Sequence, residues 1–261
     1  MKIFSDKVFL LITGASQGIG EQIAKSFAPL LPAESQVLLL ARNGESLNRV
    51  KQELPNNLMV NTVSVDLSCA SAENLTEIFR NSVKEENISQ FSEAVIIHNA
   101  GSLGNISQKT LDMLDFDVWR KYYDLNVFSP SVLNNVFVKF FNGRVKKKIF
   151  VINITSLCAL EPMKSMGYYC SGKAAREMFF KVFAKENPDI NVLNYSPGPV
   201  KTDMFHDVCK NVGDFEVKES FNELNVKNTV LTTLQTVNRL LKVLEEQKYV
   251  SGDHIDYYDS L

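Results

Sequence analysis

Val8-Phe9-Leu10-Leu11-Ile12-Thr13-Gly14-Ala15-Ser16-Gln17-Gly18-Ile19-Gly20 is the stretch on which the fold turns. The unbroken apolar run Val8 to Ile12 suits a parallel strand buried on both faces. Ile19, Ile23, Ala24 and Phe27 then fall at helical spacing, and Pro29 and Pro32 close the segment. The order is strand, glycine-rich turn, helix. Glycine at 14, 18 and 20 lets the backbone turn tightly and approach a pyrophosphate, with a helix N-terminus offering its N–H groups. An ordinary strand-to-helix turn would not need three glycines.

The pattern repeats along the chain. Val37 to Ala41 reads as a second buried strand, ending in Arg42-Asn43. An acidic residue at that strand end would hold a ribose 2′-hydroxyl; Arg42 suits a 2′-phosphate instead, and the alternative is a solvated arginine. Val60 to Val65 reads as a third strand, with Asp66-Leu67 at its end. Asp66 suits an adenine amino group and a helix cap equally well. Ala94 to Ile97 leads into His98-Asn99-Ala100-Gly101, small residues suited to a backbone pressed on a ligand. His98 reads as a packed histidine. The region 115–141 reads as one long helix whose apolar stripe is wide enough for the core and a partner, or for deep burial in a monomer. Asn126 interrupts that stripe and needs hydrogen bonds.

Ile149 to Ile154 is a fifth strand with Thr155-Ser156 at its C-terminal end, where ligands of open α/β sheets bind. Asn191 to Tyr195 is a sixth, followed by Ser196-Pro197-Gly198-Pro199. The region 200–221 has weak periodicity and suits a lid. A helix over 228–247 and a late edge strand within 249–257 complete the chain.

Tyr169 and Lys173 stand four residues apart, on one face of a helix. By chance such a pair is a packed tyrosine and a solvated lysine. As a site, the ammonium would draw the phenol down from its ordinary pKa of about 10, and reaching about 7 takes roughly 4 kcal/mol.

Length and composition bound the rest. The 261 residues are 45% hydrophobic and 22% charged, ordinary for a globular chain with a large core. With no internal linker or repeat, a single domain over 1–261 is expected. A net charge of -2 argues against nucleic acid or an anionic membrane as the main partner. The four cysteines form no C-x-x-C pair, and Met1 to Leu11 carries no signal pattern. A reduced, cytoplasmic protein without a metal site is the expectation.

Taken together, Thr13-Gly14-x-x-x-Gly18-x-Gly20, Asn99-Ala100-Gly101, Asn126, Ser156 and Tyr169-x-x-x-Lys173 resemble the short-chain dehydrogenase/reductases over nearly the whole chain. The stretches around Ser102-Leu103-Gly104, Leu157-Cys158-Ala159-Leu160, Cys170-Ser171-Gly172 and Ser251 to Asp259 resemble the family's pterin-reducing branch. The resemblance implies an α/β Rossmann-type doubly wound parallel sheet of about seven strands, with helices on both faces. It implies NADPH as cofactor and a homodimer through the helices near 115–141 and 168–187. The implied reaction is reduction of side-chain ketones of 6-substituted pterins, late in tetrahydrobiopterin synthesis.

By the same resemblance Tyr169 donates the proton and Ser156 holds the substrate carbonyl. Lys173 binds the nicotinamide ribose and tunes Tyr169, and Asn126 holds a relaying water. The implied cofactor site comprises Gly14, Ser16, Gly18, Ile19 and Gly20, then Arg42, Asp66 and Leu67, then Asn99, Ala100 and Gly101. Tyr169, Lys173, Pro197, Gly198 and Thr202 finish it. Asp256 would anchor the pterin, although pattern alone reads it as a solvated strand-end acid. Gln17 stands where the branch usually has an arginine, so NADP preference rests on Arg42, and His98 stands where asparagine is usual. Alternatives are a broader carbonyl or diketone reductase and an NADPH-binding sensor without turnover; the presence of Ser156, Tyr169 and Lys173 argues against the sensor.

Overall fold

The computed structural model describes residues 3, 4 and 6–260. Part of the Met1–Leu11 stretch, expected to carry no signal, therefore lies outside the described residues. The strands are β1 (Val8–Thr13), β2 (Gln36–Ala41), β3 (Met59–Ser64), β4 (Glu93–His98), β5 (Lys148–Ile154), β6 (Asn191–Ser196) and β7 (His254–Asp256). They form a seven-stranded sheet in the order β3-β2-β1-β4-β5-β6-β7, parallel at every pairing. Chain progression reverses between β1 and β4, the switch point at which open α/β sheets take their ligands.

Alternation along β1 divides the core into two layers. Val8, Leu10 and Ile12 pack with α1 (Gly18–Phe27), α2 (Gly44–Gln52) and α9 (Thr233–Glu246). Phe9 and Leu11 point the other way, toward α3 (Ala72–Ser82), α5 (Ser129–Phe141) and α6 (Gly167–Glu186). Phe9 stacks within 4.6 Å of Phe141 and 5.8 Å of Phe91, ring centre to ring centre. Each fully buried side chain of this size contributes about 1.5–3 kcal/mol. That is why β1 reads as a continuous apolar run.

Several elements differ from expectation. The long helix expected over 115–141 is present without interruption as α4 (Phe116–Tyr123), a π-helical turn over Asp124–Phe128 and α5; the π-helical turn is the unexpected part. Asn126 sits in that turn and is buried. Such turns insert one extra residue into a helix and recur at functional sites. The region 200–221 is helical rather than loop: α7 (Asp203–Asn211) and α8 (Phe215–Val226). α9 starts at Thr233 rather than 228, because Thr232 and Gln235 cap it reciprocally: Thr232 Oγ1 accepts from Gln235 N at 3.2 Å, and Gln235 Oε1 accepts from Thr232 N at 2.8 Å. The last strand is only three residues long. Asp66 does not cap α3. Ser71 does, while Asp66 closes its own turn by accepting from Ser68 N and Ser68 Oγ at 3.0 and 2.7 Å. His98 is buried with its ring 5.1 Å from that of Phe180, the packed role expected of it.

Candidate active site

Two voids meet at the C-terminal edge of the sheet. The first is a cleft of about 560 Å³. Its floor is the turn after β1 and its sides are the ends of β2, β3 and β4. Gly14 adopts φ +66°, which disfavours any side chain. Gly20 packs beneath it so closely that a Cβ there would lie 2.1 Å from the Gly14 carbonyl oxygen. Thr13 Oγ1 accepts from the N–H groups of Asn99 and Ala100, both at 3.0 Å. Asn99 Nδ2 donates back to the carbonyls of Thr13 and Gly14, both at 3.1 Å. The turns after β1 and β4 are thus one hydrogen-bonded unit. Gln17, the residue before α1, is extended and makes no capping bond.

Of the residues expected at a cofactor, Gly14, Ser16, Gly18, Ile19, Arg42, Asp66, Leu67, Asn99, Ala100, Gly101 and Thr202 line this cleft. Gly20 lies under it. Pro197 and Gly198 face the second void instead, as do Tyr169 and Lys173. Gln17 lines the cleft as well, as do residues not singled out from the sequence, Asn43, Lys201 and Asp203 among them. Gln17 reaches Asp203 across it at 3.4 Å. Position next to Thr202 was the only signal for Lys201 and Asp203.

The second void, about 350 Å³, holds Ser156, Tyr169, Lys173 and Asp256 together. Its remaining wall is largely apolar, with Met163 and Met166 before α6, Phe205 and Val208 from α7, and Phe221 and Leu224 from α8. The region expected to serve as a lid thus forms helices that supply one wall of the pocket. Ile19, Asn99, Gly101, Thr202 and Met204 border both voids, so cleft and pocket are continuous.

Ser156 follows β5 directly, and its Oγ accepts from Cys158 N at 3.2 Å. Ser156 and Tyr169 both open onto this pocket. Lys173 Nζ donates to the Ile154 carbonyl at 2.7 Å and lies 5.6 Å from the centre of the Tyr169 ring. Gly172, between them on α6, leaves room for the Tyr122 ring, which a Cβ would meet at 2.5 Å. Asn126 lines neither void. Its Oδ1 accepts from Ser102 N at 2.8 Å, and its Nδ2 donates to Tyr122 O at 2.8 Å and Ser102 Oγ at 3.2 Å.

The electrostatics overturn one expectation. The Lys173 ammonium does not draw the Tyr169 phenol toward neutral pH. Burial pushes the phenol well above its ordinary value, Cys158 adds to the rise, and the Ser156 hydroxyl and the Arg176 guanidinium oppose it. Burial also pushes the Lys173 ammonium down to about 7, with repulsion from Arg176 next in size. In a site this enclosed, desolvation outweighs the attraction between neighbours.

Two buried residues of α6 went unread as site residues. Arg176, 1% exposed, donates to Asn153 Oδ1 at 2.6 Å, to Ala100 O at 2.9 Å and to His98 O, binding α6 to the ends of β4 and β5. Glu177 accepts from Thr155 Oγ1 at 2.7 Å and pairs with His254 at 2.9 Å and Lys181 at 2.7 Å. Burial raises its pKa, but the bonds from His254, Lys181 and Thr155 win and hold it at about 2. Through His254 it ties β7, and hence Asp256, to the strand end that carries Ser156.

The family model for the short chain dehydrogenase matches residues 8–213. Sepiapterin reductase of Xenopus laevis is 36% identical over 97% of this chain and 96% of its own length. A benzil reductase, (S)-benzoin forming, of Bacillus subtilis is 29% identical over 90% of this chain and 93% of its own. Among solved structures, a short chain dehydrogenase/reductase from Saccharomyces cerevisiae superposes with a TM-score of 0.82 at 26% identity, covering 97% of this chain and 96% of that one. The chain belongs to the short chain dehydrogenase family and is an oxidoreductase.

Proposed function

We propose that this chain is a single-domain NADPH-dependent carbonyl reductase for side-chain ketones of 6-substituted pterins, acting late in tetrahydrobiopterin synthesis. The observation that carries the reading is the continuity of the two voids, with Arg42 at the far end of the cleft, Ser156, Tyr169 and Lys173 near the junction, and Asp256 in the pocket beyond.

The cleft fits a dinucleotide. The closely packed glycine turn lets backbone approach a diphosphate, and the start of α1 offers N–H groups not taken by a capping side chain. Arg42 is exposed at the end of β2 with no acid at that strand end, which favours a 2′-phosphate over a bare hydroxyl. The nicotinamide supplies the hydride when the cofactor is bound. Lys173 holds the ribose, and Thr202, at the junction, holds the carboxamide.

Ser156 Oγ donates to the ketone oxygen and fixes it. Tyr169 gives its phenolic proton to that oxygen as negative charge develops there. Burial keeps Tyr169 protonated, the form a reductase needs. After donation, the Ser156 hydroxyl and the Arg176 guanidinium stabilise the phenolate, and Lys173 in its charged form adds to them. Asn126 fixes Ser102 on the pocket wall and would hold the water that relays protons to Lys173. Asp256, which accepts from Tyr258 N at 3.1 Å, presents a carboxylate to the guanidine-like edge of a pterin.

The exposed apolar side chains Phe116, Phe128, Val132, Met178 and Val182 on α4 to α6 supply a homodimer surface. A second reading, a broader diketone reductase, draws on the apolar pocket wall and on the benzil reductase relatives. NADPH consumption by the purified protein, with sepiapterin and with benzil and then with NADH, separates them. The pterin reading expects sepiapterin and NADPH to be favoured; a preference for benzil overturns it in favour of the second.

A further inference from the structure

Two cysteines pack in one cluster beside the candidate acid. Cys158 lies on the short turn Leu157–Ala159, two residues past Ser156, and is buried on the pocket wall. Cys170 follows Tyr169 on α6 and is half-buried, its N–H donated to Met166 O at 2.8 Å. Both side chains belong to one small cluster with Leu103, Met166 and Tyr169. The Leu157–Ala159 turn that carries Cys158 packs directly on α6, which carries Cys170. The other two cysteines lie elsewhere, Cys69 after β3 and Cys209 on α7.

We propose that Cys158 and Cys170 form a reversible disulfide on exposure to hydroperoxide, and that this bond stops turnover by drawing the Ser156 turn onto the Tyr169 helix. Neither thiol is needed for the reduction chemistry, yet each is tied by one or two peptide units to a residue that is. Two unbonded sulfurs must close to about 2.05 Å to bond. That movement is transmitted to Ser156 on one side and Tyr169 on the other. Misplacing a reacting group by about 1 Å costs on the order of 10²-fold in rate.

The pair divides the chemical roles. Interaction with the Cys158 thiol brings the Cys170 thiol down to about 7 against the opposing effect of burial. The same interaction, with burial, pushes Cys158 up. Cys170 is therefore the thiolate that attacks. Its sulfur takes one peroxide oxygen as the O–O bond breaks, giving a sulfenic acid, and the other oxygen leaves as water after protonation. The Cys158 sulfur then attacks the sulfenic sulfur, loses its proton and expels a second water. Two thiols lose two electrons and two protons, and hydrogen peroxide becomes two waters. A dithiol reductant reverses the bond by exchange.

The test uses the full chain with Cys69→Ser and Cys209→Ser, so that these two thiols alone remain. The protein is treated with hydrogen peroxide, digested without reduction and weighed, and ketone reduction is assayed in parallel. The expected result is a linked Cys158–Cys170 peptide pair, a loss of at least about 10²-fold in turnover, and recovery with dithiothreitol. Adding Cys170→Ser should leave basal turnover in place and abolish the peroxide response; Cys170→Ala serves if the serine variant folds poorly. The linkage is read by mass, so it stands or falls independently of which carbonyl is the substrate. Absence of the linked peptides, full turnover by the linked protein, or equal peroxide sensitivity in both Cys170 variants overturns the proposal.

Discussion

The cleft beside β1 and the pocket beyond β5 share a border but are built differently. The cleft is made of turns at consecutive strand ends, held by backbone and short side chains such as Thr13 and Asn99. The pocket gathers long side chains from the strand end at 156, the helix at 167–186, the two helices after Thr202 and the last strand. The buried charges of α6 behind it depend on distant partners, Arg176 on His98 and Ala100, and Glu177 on His254. The cleft is therefore sensitive to volume at single backbone positions. The pocket is sensitive to which functional groups are present and to their alignment.

The sharpest way to break the contrast is Gly20→Ala. The added Cβ meets the Gly14 carbonyl oxygen at 2.1 Å and Asn99 Nδ2 at 2.5 Å, and neither can move without opening the turn. Overpacking of this kind costs about 1–3 kcal/mol or more, and cofactor affinity, read by fluorescence titration, should fall by more than about 10²-fold because the turn itself is the site. Near-normal affinity would mean the turn is softer than its packing implies.

Next in size is Arg42→Ala. Losing one charge-assisted contact to a phosphate costs about 1.5–3 kcal/mol at most. The KM for NADPH should rise about 10-fold, this side chain being solvent-exposed, while that for NADH stays put. An equal rise for both would move the 2′-phosphate contact to another residue, Lys201 being the nearest alternative in the cleft.

On the pocket side, Asp256→Ala should raise the KM for sepiapterin by up to about 10-fold and leave that for NADPH unchanged. Equal effects on both would make Asp256 a structural strand-end acid.

The smallest effect concerns acid stability. Glu177 has an ordinary pKa of 4.5 and is held at about 2 in the folded chain. Its ionised form therefore adds stability above about pH 4.5 that is lost as the pH falls through about 2. Thr155→Val removes one bond to that carboxylate, about 1 kcal/mol. Acid unfolding, followed by circular dichroism, should then begin at a higher pH. An unchanged acid transition would show that His254 and Lys181 suffice.

The same contrast decides what could be read from the sequence. The strand Val8 to Ile12, the glycine turn, Ser156 at a strand end and the Tyr169–Lys173 spacing are local patterns, and the structure brings them where they were expected. The π-helical turn at Asn126 was illegible because the apolar run continues through it, and the partner of Asn126 there, Ser102, is 24 residues away. α8 was missed because it has no fully buried residue, so its periodicity is faint. Arg176 and Glu177 look like surface charges on a helix until β4, β5 and β7 are laid against them. The pKa argument for Tyr169 failed for the same reason, since spacing supplies the neighbouring cation but only the fold supplies the burial.

Tyr169→Phe, assayed for NADPH binding and sepiapterin reduction on the same sample, tests the central claim most directly. The phenol's proton is the one thing removed, so NADPH affinity should be retained while kcat falls by at least about 10²-fold. Turnover near that of the unmodified chain would contradict Tyr169 as the acid.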